Sequence, residues 1–255
     1  MTAWEFGFLV LAGIGAGLSG SIAGLASLIS YPALLLTGIP PVTANVTNTT
    51  ALVLSSVGSV SASRPELRSQ GRRLLPLMSA AVLGGVTGAA MLLLTPTEAF
   101  ERIVPVLIAG ASAAILVQRP PRELAAEGVL EHAGHRDPWW LSAGTFAVGI
   151  YGGYFGAAAG VLLLALYLLG TGEGLPRGNA LKNVVLGVAN AVAAIGFIVF
   201  ASIAWSAALP LAIGLLVGGG LGPRVVRRAP QTVLRRVIAG AGLGLAVYLA
   251  VQAYS

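Results

Sequence analysis

Apolar segments recur at roughly 4–18, 22–37, 43–63, 74–95, 98–118, 139–154, 157–170, 179–203, 207–226 and 231–254, most of them separated by short loops. At 1.5 Å rise per residue, about 20 apolar residues span a ~30 Å hydrocarbon core as a helix. Only 9% of the residues are charged and 56% are hydrophobic, whereas a soluble domain carries about 25% charged residues. The chain therefore reads as an all-α, multi-pass membrane protein whose first partner is the lipid bilayer. The start, Met1 to Phe6, has no basic region, and its apolar stretch runs past any small-residue cleavage site, so no removable signal is expected. With no cysteine, disulfides, thiolate metal sites and Cys nucleophiles are excluded. The net charge of +6 does not point to nucleic acid, because the arginines cluster in short loops, as topology signals do.

Four of these segments, in two pairs, are too short to span comfortably and are separated at glycines: 4–18 and 22–37 around Ser19-Gly20-Ser21, and 139–154 and 157–170 around Gly152 to Gly156. Non-helical backbone at membrane depth is tolerated where protein encloses it or where it lines a cavity. Each interruption reads as a broken helix or a short helical hairpin, with one long kinked helix as the alternative. The number of full crossings stays open between eight and ten.

The interruptions belong to an internal repeat. Gly17, Gly20 and Gly24 align with Gly153, Gly156 and Gly160; Pro41, Asn48, Ser55, Gly84 and Gly85 fall opposite Pro176, Asn183, Asn190, Gly219 and Gly220. Arginine placement orients the halves. Arg64, Arg68, Arg72 and Arg73 crowd one loop, whose second-half counterpart near 199–208 is uncharged; Arg224, Arg227, Arg228, Arg235 and Arg236 crowd a late loop whose first-half counterpart carries Glu98 and Glu101. Basic loops stay cytoplasmic, so equivalent loops face opposite sides, as in the inverted repeats of many secondary transporters. The expected organisation is a first repeat at 1–118, a polar cytoplasmic linker at 119–138 and a second repeat at 139–255. Both termini are expected outside the cytoplasm. His132 and His135 sit in the linker, where solvated side chains are expected rather than a metal site.

Lys182 is the chain's single lysine, it lies in the apolar stretch 179–203, and no Asp or Glu follows Glu173. A cation at bilayer depth costs roughly 2.5–3.5 kcal/mol on insertion scales and usually faces a cavity or a transport path; snorkelling from a helix end is the competing reading. Asn179, Lys182, Asn183 and Asn190 share one helical face. The polar residues Thr47, Asn48 and Thr49 in the first half, with Ser19, Ser21 and Tyr154 near the interruptions, complete the candidate set. The expected ligand is an anion held by Lys182 and these donors near the midplane. Ser, Thr and Asn can equally join helices to each other.

At these residues the chain resembles the TauE/SafE sulfite-exporter family, also described as the toluenesulfonate uptake permeases. The stretches that carry the likeness are GLSGSIAGLASLISYPALLLTGIPPVTANVTNTTAL, GGYFGAAAGVLLLALYLLG and GNALKNVVLGVANAVAA. The resemblance implies export or exchange of sulfite, sulfonates or related anions across the cell's inner membrane, coupled to a proton or sodium gradient. It implies substrate contact by Asn48 and its neighbouring threonines and by Asn179, Lys182 and Asn183. No cofactor and no enzymatic activity are implied, and a homo-oligomer is left open. The alternative is an uncoupled anion-selective channel through the same cavity.

Overall fold

A computed structural model describes residues 1–119, 121–132, 137–225 and 231–254. Every regular element among them is a helix: α1 (Ala3–Ala23), α2 (Ser27–Leu36), α3 (Pro41–Ala62), α4 (Arg64–Leu67), α5 (Gly71–Leu94), α6 (Thr97–Val117), α7 (Pro121–His132), α8 (Trp139–Tyr154), α9 (Ala159–Gly170), α10 (Leu175–Phe200), α11 (Trp205–Val225) and α12 (Gln231–Tyr254). Helix starts follow local chemistry. Thr2 and Glu5 form a capping box on α1, and proline opens α3 and α10, where its missing N–H costs nothing.

Among the described residues five helices, α1, α5, α6, α10 and α11, are long and apolar enough to cross a membrane. With 22 residues, α3 has the length, about 33 Å, but its run of Thr and Asn lowers its hydropathy. Those side chains are turned into the protein: Asn45, Thr47, Asn48 and Thr49 are all buried.

The first interruption differs from its expected position. The helix continues through Ser19-Gly20-Ser21, and the chain turns instead at Gly24, in the left-handed region at φ 78°. The Ser19 hydroxyl donates back to the Ala16 carbonyl at 3.1 Å, so serine is accommodated inside the helix. The stop is a Schellman-type end in which Gly24 N–H donates to Gly20 O at 2.8 Å and Leu25 N–H to Ser19 O at 3.4 Å. The second interruption falls where expected, after Tyr154, with Gly156 at φ 75° and Ala158 at φ 60°.

Small residues set the packing. Along α1, Gly17 lies against the backbone of Gly218 and Gly219 on α11; along α8, Gly153 lies against Gly85 on α5. Close backbone approach of this kind is how membrane helices associate where lipid offers no hydrophobic drive. The two interruptions meet each other, since a Cβ on Gly160 would come within 2.6 Å of Gly24 Cα.

The linker is more structured than a solvated tether. Leu124 and Ala125 of α7 are buried with Leu164 and Leu168 of α9. His135 lies outside the described residues, as does the His132 side chain. Beyond α7, Asp137 joins a polar cluster. Arg73 Nε donates to Asp137 Oδ2 at 2.7 Å and Arg73 Nη1 to Glu173 Oε1 at 2.8 Å, with Gln70 and Arg177 also donating to Glu173 at 3.0 and 3.1 Å. This places the start of α5, the approach to α8 and the α9–α10 loop on one face. Burial pushes the Glu173 carboxyl up, but hydrogen bonds from Gln70, Arg177 and Arg73 outweigh it and hold the group below the ordinary carboxylate range.

Two outcomes follow from this packing. Gly24→Ala combines a left-handed penalty of about 1–2 kcal/mol with a clash against Gly160, whereas Gly38→Ala shares the φ of 78° but has open space around it. Size-exclusion profiles in detergent should therefore show loss of folded Gly24→Ala and retention of Gly38→Ala. Glu173→Gln should lower the melting temperature at neutral pH, by about 1 kcal/mol once solvent screening is allowed for. A depressed carboxyl stabilises the fold above its unfolded pKa and loses that contribution as pH falls through the folded value, so the two melting curves should converge in acid.

Candidate functional site

A narrow polar cavity lies where the two interruptions meet α3 and α10. On α3, Thr49, Leu52, Ser55, Ser56 and Ser59 line it, positions that recur on one helical face. Asn183, Leu186 and Asn190 of α10 line the opposite side, at i, i+3 and i+7. The ends are closed by Gly20, Ser21 and Ser27 from the first interruption and by Phe155, Gly156 and Gly160 from the second. The cavity measures about 30 Å³, room for about two waters. Ser56 and Gly187 bring α3 and α10 together, since a Cβ on Gly187 would sit 2.6 Å from Ser56 Cβ.

The helical face expected on α10 divides in two. Asn183 and Asn190, 6% and 5% exposed, face the cavity. Asn179 and Lys182 instead reach the end of α1. Asn179 Nδ2 donates to Ser21 O at 2.7 Å, and Lys182 Nζ donates to Gly20 O at 2.7 Å and Ser21 O at 3.4 Å. Lys182 has no exposed surface. It stands one layer behind the cavity wall, holding the carbonyls of two residues that form that wall. Its ammonium is thus met by carbonyls, as expected of a buried cation, but inside packed protein rather than in an open space. The snorkelling alternative is not what the structure adopts.

Of the other expected residues, Thr49 and Ser21 line the cavity and four do not. The Asn48 Oδ1 accepts from the Ser30 hydroxyl at 2.5 Å, tying α3 to α2. Thr47 Oγ1 accepts from Ala204 N–H at 3.0 Å, just before α11. Ser19 bonds within its own helix. Tyr154 offers its carbonyl to Asn45 Nδ2 at 2.9 Å and its ring to Phe100. Unanticipated wall residues are Ser27, Ser59 and Phe155. Ser59 continues the Thr49–Ser55–Ser56 face at helical spacing and could have been read from it; nothing in the local pattern singles out Phe155.

Two wall groups are unusual in being buried donors without partners: the Ser21 hydroxyl and Asn183 Nδ2. An unsatisfied buried polar group costs about 1–3 kcal/mol. The amide nitrogen can only donate, so the group that completes it must bring an acceptor. The wall carries no carboxylate, and an ammonium lies directly behind it. This arrangement suits an oxyanion, whose oxygens would accept from Asn183 and the hydroxyls while Lys182 supplies uncompensated positive charge.

If these donors are kept for a ligand, removing them should not harm the empty protein. Asn183→Ala and Ser21→Ala should leave the melting temperature unchanged or raise stability by up to about 1 kcal/mol without ligand, while weakening anion binding. Differential scanning fluorimetry in detergent would check this; a drop in apo stability would show that the side chains hold the fold instead.

A family model described as "Sulfite exporter TauE/SafE" matches residues 9–249. "Probable membrane transporter protein ORF9" of Sinorhizobium sp is 27% identical over 247 residues, covering 95% of this chain and 91% of that protein. "Probable membrane transporter protein YfcA" of Escherichia coli K12 is 26% identical over 238 residues, covering 91% and 84%. A "Probable membrane transporter protein" of Haemophilus influenzae is 26% identical over 221 residues, covering 86% and 84%. No solved structure matches. A multi-pass helical membrane protein matched by this model over nearly its whole length, the chain belongs to the sulfite exporter TauE/SafE family.

Proposed function

We propose that this protein is a secondary transporter, in the exporting direction, for small sulfur-containing oxyanions such as sulfite or organosulfonates, and that it acts in the plasma membrane. The observation that carries the reading is the pair of unpartnered donors, Ser21 Oγ and Asn183 Nδ2, on a carboxylate-free cavity backed by Lys182. Names of the relatives agree with a membrane transporter.

The inverted-repeat organisation, 1–118 against 139–255 about the 119–138 linker, is part of the same proposal. Reciprocal contacts support it. Gly85 approaches the Ala189 carbonyl, and Gly219 approaches that of Ser55, pairs in which each residue has its counterpart 134 positions away. In this register, one residue shorter than the sequence alignment suggests, Thr49 corresponds to Asn183, Leu52 to Leu186 and Ser56 to Asn190. All six line the cavity, so it lies on the axis relating the halves. The second half contributes amides where the first contributes hydroxyls.

A cavity of about 30 Å³ is too tight for a sulfonate, so binding requires its walls to part. That requirement favours an alternating carrier over a standing channel. Coupling to protons or sodium belongs to the carrier reading, with assembly into homo-oligomers outside its scope.

The test is a binding screen of sulfite, sulfate, sulfonates and carboxylates on purified protein, followed by counterflow in proteoliposomes. Unlabelled anion on the far side should accelerate entry of labelled anion, as a channel would not show. Lys182→Met, which keeps an unbranched side chain one atom shorter and removes an ion from the interior, should stay folded and lose roughly 10- to 100-fold in affinity. Asn183→Ala should lose less. Undiminished affinity in Lys182→Met would remove the ammonium from the mechanism.

A further inference from the structure

A second cavity, of about 270 Å³, lies among α2, α3, α6 and α12 and is lined by Tyr31, Pro41, Glu101, Val104, Leu249 and Ala253. Among the described residues its polar side chains are a phenol and a carboxylate. Tyr31 is 2% exposed, and its buried hydroxyl has no partner. Glu101 is half-buried at the same cavity.

Two aromatic contacts connect this cavity to the polar one. The Tyr31 ring meets the Phe155 ring edge-on at 5.3 Å, and Phe100, adjacent to Glu101, meets the same ring at 6.1 Å. Phe155 is itself a wall of the polar cavity. Two rings in contact, Tyr31 on one side and Phe155 on the other, therefore stand between a carboxylate-bearing cavity and one suited to an anion. A carboxylate there has the wrong sign for an anion path, and like charges across low-dielectric packing repel strongly.

We propose that the Tyr31–Glu101 cavity is a proton-binding site that sets whether an anion can pass the Phe155 partition. The control of passage rests on the transporter reading; the proton site does not. A proton from external water adds to a Glu101 oxygen and returns to that water, with only an O–H bond formed and broken. The acid form removes the opposing charge and can donate to the Tyr31 oxygen; the ionised form can accept from the Tyr31 hydroxyl. One carboxylate and one phenol supply too few oxygens to cage a metal ion, which selects the proton as ligand.

Among the described residues no other titratable side chain lines the cavity. From α2 it receives Tyr31, from α3 Pro41, and from α12 Leu249 and Ala253. On α6 itself, Glu98 and Arg102 are exposed, and Arg102 has an interaction of its own. Tyr154 presents its ring to Phe100, and Tyr248 is exposed.

The experiment uses full-length protein and two readouts. Counterflow of ethanesulfonate, whose charge is constant across the range, is followed while external pH is stepped from neutral to acidic. Wild type should accelerate in acid, Glu101→Gln should run at the acidic rate throughout, and Tyr31→Phe should shift the midpoint. Retention of the wild-type pH profile in Glu101→Gln would overturn the control of passage. In parallel, acid-minus-neutral infrared difference spectra should show a carboxylic-acid band that is lost in Glu101→Gln and moved in Tyr31→Phe. An unchanged band in Glu101→Gln would overturn the proton site. Absence of ethanesulfonate flux at every pH would count against the transporter reading, and the infrared band then decides the proton site alone.

Discussion

Backbone that leaves helical geometry inside a bilayer finds no water there, so protein must enclose it. Two such places exist, at Gly24 and at Gly156–Ala158, and much of the central architecture depends on how they are enclosed. They are stacked on each other through Gly24 and Gly160. The carbonyls at the end of α1 are taken by side chains from α10, and the carbonyl of Tyr154 by Asn45 of α3. Each broken helix is thus closed by a side chain from the opposite part of the sequence. The polar cavity is the space left between these closures, which is why its ends are backbone turns and its sides are α3 and α10.

The segments, the glycine-rich second interruption and the polar face of α10 were all legible in the sequence, since each rests on a strong local signal: hydropathy over a span's length, clustered glycine, and amide spacing on a helix. The first interruption was displaced because Ser-Gly-Ser resembles a break, yet serine can bond back to its own helix, as Ser19 does. What ends α1 is one left-handed residue, Gly24, and a single glycine in a chain with 35 of them carries little local signal. The α10 face was correctly grouped but its division was not visible. Positions 179 and 182 differ from 183 and 190 only in what stands opposite, and that is decided by how deeply α1 penetrates. Asn48 misled for a related reason, since its partner, Ser30, lies across a turn whose geometry no periodicity reveals.

The two closures are similar in plan and unequal in chemistry. Asn45 and Asn179 each bond to the carbonyl of a residue near the end of a broken helix. In the proposed repeat, with the register of the glycine contacts, Lys182 corresponds to Asn48. One side therefore adds a buried ammonium, while the other adds an amide whose oxygen accepts from Ser30 and whose nitrogen has no partner. Charge was placed at one closure only. A positive field centred on one side of an otherwise paired cavity gives the two directions of approach different electrostatics, which a symmetric ring of amides could not.

Packing also divides the bundle along lines that sequence order does not suggest. The glycine-lined contacts join α1 to α11 and α8 to α5, with α3 against α11 and α10 against α5. Each close-packed group draws helices from both ends of the chain. Interfaces made of backbone against backbone leave no side chains to rearrange, so they resist sliding. Where α3 crosses α10, by contrast, a serine stands against a glycine beside a cavity lined by short hydroxyls and amides. In the proposed carrier, widening the cavity for an anion therefore acts on the Ser56–Gly187 crossing and on the asparagine and lysine closures. It leaves the glycine seams intact, and the closures sit at the points where the two groups exchange hydrogen bonds.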